Sequence, residues 1–339
     1  MAEYDALVVG AGPAGSAAAI LCAQRGLRVA LFEQALFPRA RPGETLHPGI
    51  EALFEQLGVA QAINQACRVR HTGHWVKWAS EPTYTTFGEG STGYQLSRAL
   101  LDELLLKRAQ ALGVQVMQPC RVTGVLRDEL RVVGVQTDRG DFTAKAVIDA
   151  SGPSHWLARQ LGMAWRTFSP RLVAHYGYAT GTCLPPHIAC GIEATPFGWY
   201  WTAMLGPARY HWTRLSFSPE PNRLITPPPE FRHLTATGPV RGCDVTWRLS
   251  QQTAGNGFFI AGDAAFVLDP SSSHGVLKAL MSGMMAAHAL TQTISTPWHQ
   301  LSIEQHYQHW IVDLFERDRQ NMSAFYRLHP FAPTWMSTP

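Results

Sequence analysis

Long uninterrupted hydrophobic runs are absent from the 339 residues: the apolar stretches, such as Ala17 to Ala23, are broken by polar residues or glycine well short of a bilayer span, which argues against a transmembrane helix. There is no basic tract either. The 28 Lys and Arg are interleaved with 25 Asp and Glu for a formal charge of +3, so neither a nucleic acid nor a membrane surface is expected as a partner. Cysteine is sparse and scattered. Cys22, Cys67, Cys120, Cys183, Cys190 and Cys243 form no C-x-x-C pair, which argues against a disulfide framework and against a metal site and fits structural, reduced thiols in a cytoplasmic protein. Met1-Ala2-Glu3 runs straight into a strand, with no basic segment, apolar segment and cleavage site ahead of it, so secretion is not expected. Internal repeats and low-complexity segments are missing too. What remains is a chain that is 46% hydrophobic and long enough for one large or two closely joined folded domains.

Apolar periodicity organises that chain. Tyr4 to Val9 is an apolar run ending at Gly10, Ser16 to Arg25 is alanine-rich and helical, and Arg28 to Glu33 reads as a strand: a β-α-β unit of about thirty residues. Helical spacing returns from Pro48 to Leu57 and from Ser97 to Leu112, where Gly113 ends the helix before a strand at Val114 to Met117. Arg121 to Leu126, Arg131 to Thr137 and Ala144 to Asp149 are separated by polar turns, which predicts a small antiparallel meander returning to the parent sheet. From Trp165 to Trp247 aromatics and proline are frequent, and a second, β-rich domain is expected. The chain then returns to a strand at Phe258 to Ala261 and to helices from about Gly275 to Ile294 and from Ile303 to Tyr326, and about a dozen residues follow as a tail.

Gly10-Ala11-Gly12-Pro13-Ala14-Gly15 matches G-x-G-x-x-G after a strand and at the opening of a helix, with Glu33 about twenty residues on. The first glycine allows the tight turn, the second lets backbone amides approach a pyrophosphate, and the third allows close helix-strand packing. The helix N-terminus adds partial positive charge for the phosphates. Glu33 suits a ribose diol and disfavours a 2′-phosphate. This much leaves NAD and FAD both open.

Gly262-Asp263-Ala264-Ala265, after an apolar strand near the other end of the chain, resembles the second FAD fingerprint of glutathione-reductase-type flavoproteins, in which the aspartate binds the ribityl chain. A single carboxylate between strand and helix is well placed for a hydroxyl beside a pyrophosphate; the alternative is that Asp263 caps the helix. With both fingerprints in one chain, FAD is the expected cofactor. The fold implied is α/β: a Rossmann-type, glutathione-reductase-like FAD domain from residues 1–160 and 250–295, an inserted β-rich substrate domain at 161–249, and a C-terminal helical segment and tail at 296–339.

Further segments resemble a narrower group, the flavin monooxygenases that include flavin-dependent halogenases and geranylgeranyl-reductase-like enzymes. They are Arg41-Pro42-Gly43-Glu44-Thr45-Leu46, like that group's G-E-[ST]-L; Gly93 to Arg98; Ile148-Asp149-Ala150-Ser151-Gly152; and Asp269-Pro270-Ser271-Ser272-Ser273-His274-Gly275, continuing into Val276. The resemblance implies that Arg41, Glu44, Thr45, Arg98, Asp149, Asp269, Pro270, Ser273, His274, Gly275 and Val276 join Glu33, Gln34 and Val122 around the cofactor. Reduced flavin carries negative charge, which a helix N-terminus rich in free N–H groups stabilises. Arg98 alone reads equally as half of a surface ion pair, Glu44 as a helix-end cap, and His274 either as a substrate contact or as the helix cap.

Halogenases of the group carry a lysine beyond G-E-[ST]-L and a W-x-W-x-I-P motif. Here Trp199-Tyr200-Trp201 lacks the Ile-Pro, and Lys77 stands in surroundings that do not match, which disfavours halogenation. The segments Arg41 to Gly49, His74 to Ser80 and Leu268 to Gly283 most resemble flavoprotein maturases that help build cysteine tryptophylquinone in partner amine or amino-acid oxidases. That likeness implies reduction of FAD, reaction with O2 to a C4a-hydroperoxide, and oxygen transfer to a tryptophan of a quinoprotein oxidase precursor. His274 and His47 are the candidates to handle the proton at the reacting oxygen, His47 reading also as a plain loop contact before Pro48. Trp199, Trp201, Tyr210 and Trp212 mark either a substrate groove or the inside of a sheet. With no second G-x-G-x-x-G, electrons are expected from transiently docked NAD(P)H or from a reductase. Four other readings stand beside this one: a small-molecule aromatic hydroxylase, a halogenase, an isoprenoid reductase and a non-catalytic FAD-binding chaperone.

Overall fold

A strand buried on both faces needs a continuous apolar run, and Tyr4–Val9 has one, all of it buried. The computed structural model describes residues 3–182, 190–217 and 225–336. In it this strand is the middle of a mostly parallel sheet in the order Phe258–Ile260, Gly140–Asp149, Tyr4–Val9, Val29–Phe32, Gln115–Met117. The register runs Phe259↔Ile148, Ile148↔Val8, Val8↔Leu31 and Leu31↔Val116. Arg131–Thr137 and Val122–Asp128 add antiparallel to Gly140–Asp149, the meander anticipated from the turn residues.

The alanine-rich helix Pro13–Gln24 is buried continuously from Pro13 to Cys22. It lies between the sheet and the helices Arg98–Ala111 and Gly275–Ser295. A helix apolar all round is one enclosed on all sides, and alanine lets its neighbours come close. Gly113 is left-handed (φ 86°) where the helix Arg98–Ala111 gives way to the next strand, as its position in the sequence suggested.

The middle of the chain forms an antiparallel sheet ordered Thr235–Ala236, Val173–Thr180, Arg209–Ser216, Gly198–Gly206, Cys190–Thr195, with Arg241–Asp244 paired to Val173–Thr180. The α/β architecture with a β-rich insert is as expected, but the insert's boundary is not. Gly73–Lys77 and Thr83–Thr86, which the sequence placed within the first domain, complete this sheet: Gly73–Lys77 pairs parallel to Cys190–Thr195, with Trp75 opposite Gly191 and Lys77 opposite Glu193. Strand periodicity tells which face a residue takes and says nothing about a partner strand more than a hundred residues away.

The C-terminal segment also departs from its expected independence. Helix Gln300–Arg327 closes a core with the second sheet, in which Met322 and Tyr326 meet Trp78, Trp199, Trp201 and Trp247. Trp78 stacks on Phe325 at 4.3 Å between ring centroids and donates its indole N–H to the Phe325 carbonyl at 3.0 Å. The supposed tail is packed too: the Trp335 ring stands edge-on to Trp247 at 5.3 Å. Burying rings of this size stabilises by roughly 2–3 kcal/mol each, enough to order the end of a chain. The described cysteines are free thiols; Cys183 lies outside the described residues. Among the described residues no helix is long and apolar enough to cross a membrane.

Candidate active site

A cavity of about 830 Å³ opens at the carboxyl ends of Tyr4–Val9 and Val29–Phe32 and continues to the inner face of the second sheet. Gly10, Gly12, Pro13 and Ala14 form one wall. Gly10 has φ +97°, and a side chain on it would meet the Ala150 carbonyl oxygen at 2.4 Å; one on Gly15 would meet the Gly10 carbonyl oxygen at 1.8 Å. Gly12 is different: a Cβ there would find only the Arg39 guanidinium, at 3.6 Å. Gly10 and Gly15 are therefore required by the protein's own packing, whereas Gly12 keeps the mouth of the helix open. Pro13 begins the helix, and Gly12 at its cap offers no side chain to its first N–H groups.

Glu33 and Gln34 continue the wall. The Glu33 carboxylate accepts from the backbone N–H groups of Ala11 and Ala35, both at 2.9 Å, and lies 3.6 Å from Arg39. It braces the glycine loop and keeps a lone pair on each oxygen for a ligand. Arg98 reaches the buried Asp102 with two hydrogen bonds, at 2.9 and 3.1 Å, and the Pro42 carbonyl at 3.0 Å. It is thus a largely enclosed clamp on the Arg41–Thr45 segment, not half of a surface pair. Arg41, Glu44, Thr45 and Val122 all face the cavity. Asp263 does as well, open to the cavity, and its carboxylate accepts no hydrogen bond from any described residue; the surrounding protein desolvates it and raises its pKa against the nearby charges of Arg98, Lys278 and Arg248.

The far wall is the turn from Asp269 to Gly275 with Val276 behind it. Asp269 accepts from Ser271 N–H at 3.0 Å and from the Trp247 indole N–H at 2.6 Å. Ser273 is left-handed (φ +54°), and its hydroxyl donates to the Thr45 carbonyl at 3.0 Å, which ties this turn to the Gly43–Leu46 segment. Buried Lys278, one helical turn further on, faces the cavity and pairs with Asp318 at 3.1 Å. Glu44 accepts from Gly43 N–H at 2.8 Å and from the Tyr178 hydroxyl, while His211 Nε2 stands 3.7 Å away. Tyr178, His211 and Trp247 escaped sequence reasoning because none belongs to a local motif, and Lys278 lies in the Leu268 to Gly283 segment but was not singled out within it.

These features fit a dinucleotide. Among atoms bordering the cavity, Arg39 Nε, Trp156 Nε1 and His211 Nε2 are buried without a hydrogen-bond partner, and Asp263 is unpaired; an elongated polar ligand supplies what such groups lack. A model of the FAD binding domain matches residues 3–214. The chain belongs to the FAD-binding-domain family.

This flavoprotein is 28% identical over 363 residues to a tryptophan 2-halogenase of Chondromyces crocatus, a match covering 98% of this chain and 69% of that protein. Its fold superimposes on the myxobacterial chondrochloren halogenase CndH with a TM-score of 0.88 at 24% identity, covering 98% of this chain and 85% of that one. On QhpG, a peptidyl tryptophan dihydroxylase essential for tryptophylquinone cofactor biogenesis, the TM-score is 0.78 at 23% identity, covering 98% and 78%. The flavoprotein is an FAD-dependent oxidoreductase of the monooxygenase and halogenase superfamily.

Not every residue singled out from the sequence reaches the cavity. Asp149 is fully buried and accepts from Ser151 N–H and Leu157 N–H, each at 2.9 Å, so it shapes the loop that Gly10 abuts and touches no ligand space. His274 precedes the helix Gly275–Ser295 without capping it. His47 lies edge-to-face with His274 at 5.0 Å and accepts from Gly49 N–H at 3.1 Å through Nδ1, which leaves the proton on Nε2. Both rings lie off the cavity wall, and Phe87 is 5.1 Å from His47 and 5.8 Å from His74. His74 in turn lies 6.2 Å from Trp201, the residue of the Trp199–Trp201 pair that faces the cavity. Burial, with the nearby charge of Lys278, lowers His274 to about 4, and burial lowers His47 and His74 as well, so these rings are neutral at physiological pH. A neutral imidazole accepts a proton and does not deliver one. The groove expected from tryptophans reduces to Trp201. Trp199 is fully buried with its N–H on Tyr326 Oη at 2.7 Å, and Tyr210 and Trp212 pack with Phe231 in a separate cluster.

Proposed function

We propose that the flavoprotein is a monooxygenase that hydroxylates a tryptophan side chain of a partner protein, a quinoprotein oxidase precursor, during tryptophylquinone formation. The observation that carries this reading is the state of Lys77. Its ammonium lies 2.7 Å from Glu193 on a half-exposed strand and outside the cavity lining, while Lys278, the lysine that does face the cavity, is held by Asp318 at 3.1 Å. Both lysines are engaged by a carboxylate and neither stands free to hold hypohalous acid, whereas Trp201 offers the cavity an aromatic face that suits an electron-rich ring.

Gly12, Pro13 and Ala14 would take the FAD pyrophosphate at the helix N-terminus, Glu33 the ribose diol and Asp263 a hydroxyl of the ribityl chain. The turn Asp269–Gly275 would offer its backbone to the flavin ring. Bound and reduced, FAD supplies two electrons to O2 so that one oxygen enters the ring and the other leaves as water. Trp201, on the cavity wall, would orient the substrate ring. NAD(P)H or a reductase would deliver the electrons.

The test is incubation with FAD, a flavin reductase, NADH and a tryptophan-containing peptide, followed by mass spectrometry. Gain of oxygen on tryptophan supports the proposal; an unmodified peptide with all O2 recovered as peroxide rejects it. A second reading, halogenation, is favoured by the likeness to a tryptophan 2-halogenase over 98% of this chain. Bromide in the same assay separates the two, because a brominated product carries an unmistakable isotope pattern.

A further inference from the structure

His211 and Glu44 form a pair that no local motif signals, because the two come from separate segments of the chain. His211 lies on Arg209–Ser216 directly opposite Tyr178, so both side chains share the face of the sheet that looks into the cavity, with ring centroids 5.1 Å apart. Across the other edge its register partner is Ala203, which is uncharged. Tyr176, the remaining titratable neighbour on the facing strand, has its ring 6.2 Å away. Glu44 arrives from a different segment, and its carboxylate stands 3.7 Å from His211 Nε2 while accepting from Gly43 N–H and Tyr178 O–H. Glu44 is 2% exposed and His211 4%, and both border the cavity.

A buried imidazole beside a buried carboxylate is an arrangement for holding a proton transiently. The Glu44 carboxylate, 3.7 Å from Nε2, is close enough for its charge to stabilise the imidazolium that forms when the ring takes a proton. His47 and His274, the candidates from the sequence, face each other, with Phe87 against His47, and no described carboxylate is within ion-pair distance of either. Burial lowers the His211 pKa while the Glu44 charge opposes that shift, so the ring starts neutral and gains a favourable partner when it protonates.

We propose that His211 is the proton acceptor of the cavity, with Glu44 and Tyr178 as its positioning residues. The inference rests on the aromatic hydroxylation proposed above. When a ring carbon forms its C–O bond it must lose the proton of its C–H bond: the C–H electron pair returns to the aromatic system, the proton passes to His211, and the imidazolium Nε2–H closes on the Glu44 carboxylate. The two electrons that balance the insertion come from reduced FAD, and O2 is the oxidant.

Two measurements on the FAD-loaded protein test this. In a histidine-labelled NMR titration, with His211 assigned by its loss in His211→Asn, the His211 pKa should fall clearly in Glu44→Gln; a value that Glu44→Gln does not move overturns the pair. In the hydroxylation assay, His211→Asn and His211→Gln should each lower product formation by about a hundredfold or more while O2 consumption continues as peroxide release. Retention of FAD by both variants shows that they are folded. Undiminished hydroxylation in either folded variant overturns the role. Should the wild type hydroxylate no tryptophan, the functional proposal falls, and the NMR titration still decides whether His211 and Glu44 act together.

Discussion

The indole N–H of Trp247 donates to the Asp269 carboxylate at 2.6 Å, joining the core beneath the second sheet to the turn that forms the far wall of the cavity. Trp247 is 1% exposed and Asp269 is 2% exposed, so neither has water to fall back on. Replacing Trp247 with Phe keeps most of the ring but leaves one Asp269 oxygen short of a donor, which should destabilise the protein by about 1–3 kcal/mol. Urea denaturation is the check. FAD affinity should drop with it, because the turn loses its anchor; an unchanged midpoint and unchanged FAD content would show that the turn holds without Trp247.

Glycines 10, 12 and 15 should separate into two kinds. Gly12→Val should leave a folded protein without FAD, since only the Arg39 guanidinium neighbours that position, at 3.6 Å. Gly15→Ala should unfold or strongly destabilise the chain even without cofactor, because its Cβ would lie 1.8 Å from a backbone oxygen. Circular dichroism together with the flavin absorbance distinguishes the outcomes, and a yellow Gly12→Val protein would contradict the pyrophosphate assignment.

Acid should weaken the fold through His155. Burial, reinforced by the positive charge of Arg248, lowers this histidine to about 4, and it is 6% exposed. Its folded pKa lies below the unfolded value, so the unfolded chain binds the extra proton. The stabilisation is complete above about pH 6.5 and is lost as the pH falls towards 4. Between pH 6.5 and 5 the loss from this residue is on the order of 2 kcal/mol. Comparing urea midpoints of the wild type and His155→Gln across that range isolates the contribution, which should be absent from the variant.

Lys77→Ala should change little. The pair with Glu193 is partly exposed, worth no more than about 1 kcal/mol, and oxygen insertion should proceed at the wild-type rate. Loss of product formation in this variant, with the protein folded and loaded with FAD, would return Lys77 to the chemistry and halogenation to the front.

The sequence by itself determined the parts of this protein that are local. A glycine that must take φ +97° beside a backbone oxygen, a helix that starts without a side-chain cap, and a carboxylate at the end of the next strand are all set within about thirty consecutive residues, so the glycine loop and the α/β class could be read directly. The helices and the meander were legible for the same reason: spacing and turn residues act over one or two turns of chain.

Only the tertiary structure decided which distant segments meet. Gly73–Lys77 enters the second sheet through backbone hydrogen bonds to Cys190–Thr195, and any strand of suitable pleat could have made them. Asp149 reads like a ligand residue in its motif, yet both its oxygens are taken by nearby N–H groups, a fact of loop conformation. His211, Tyr178 and Glu44 lie on three separate segments with no shared pattern. Their meeting depends on the register of one strand pair and on how the segment around Gly43 crosses it, and a shift of one residue in that register would turn His211 away from the cavity.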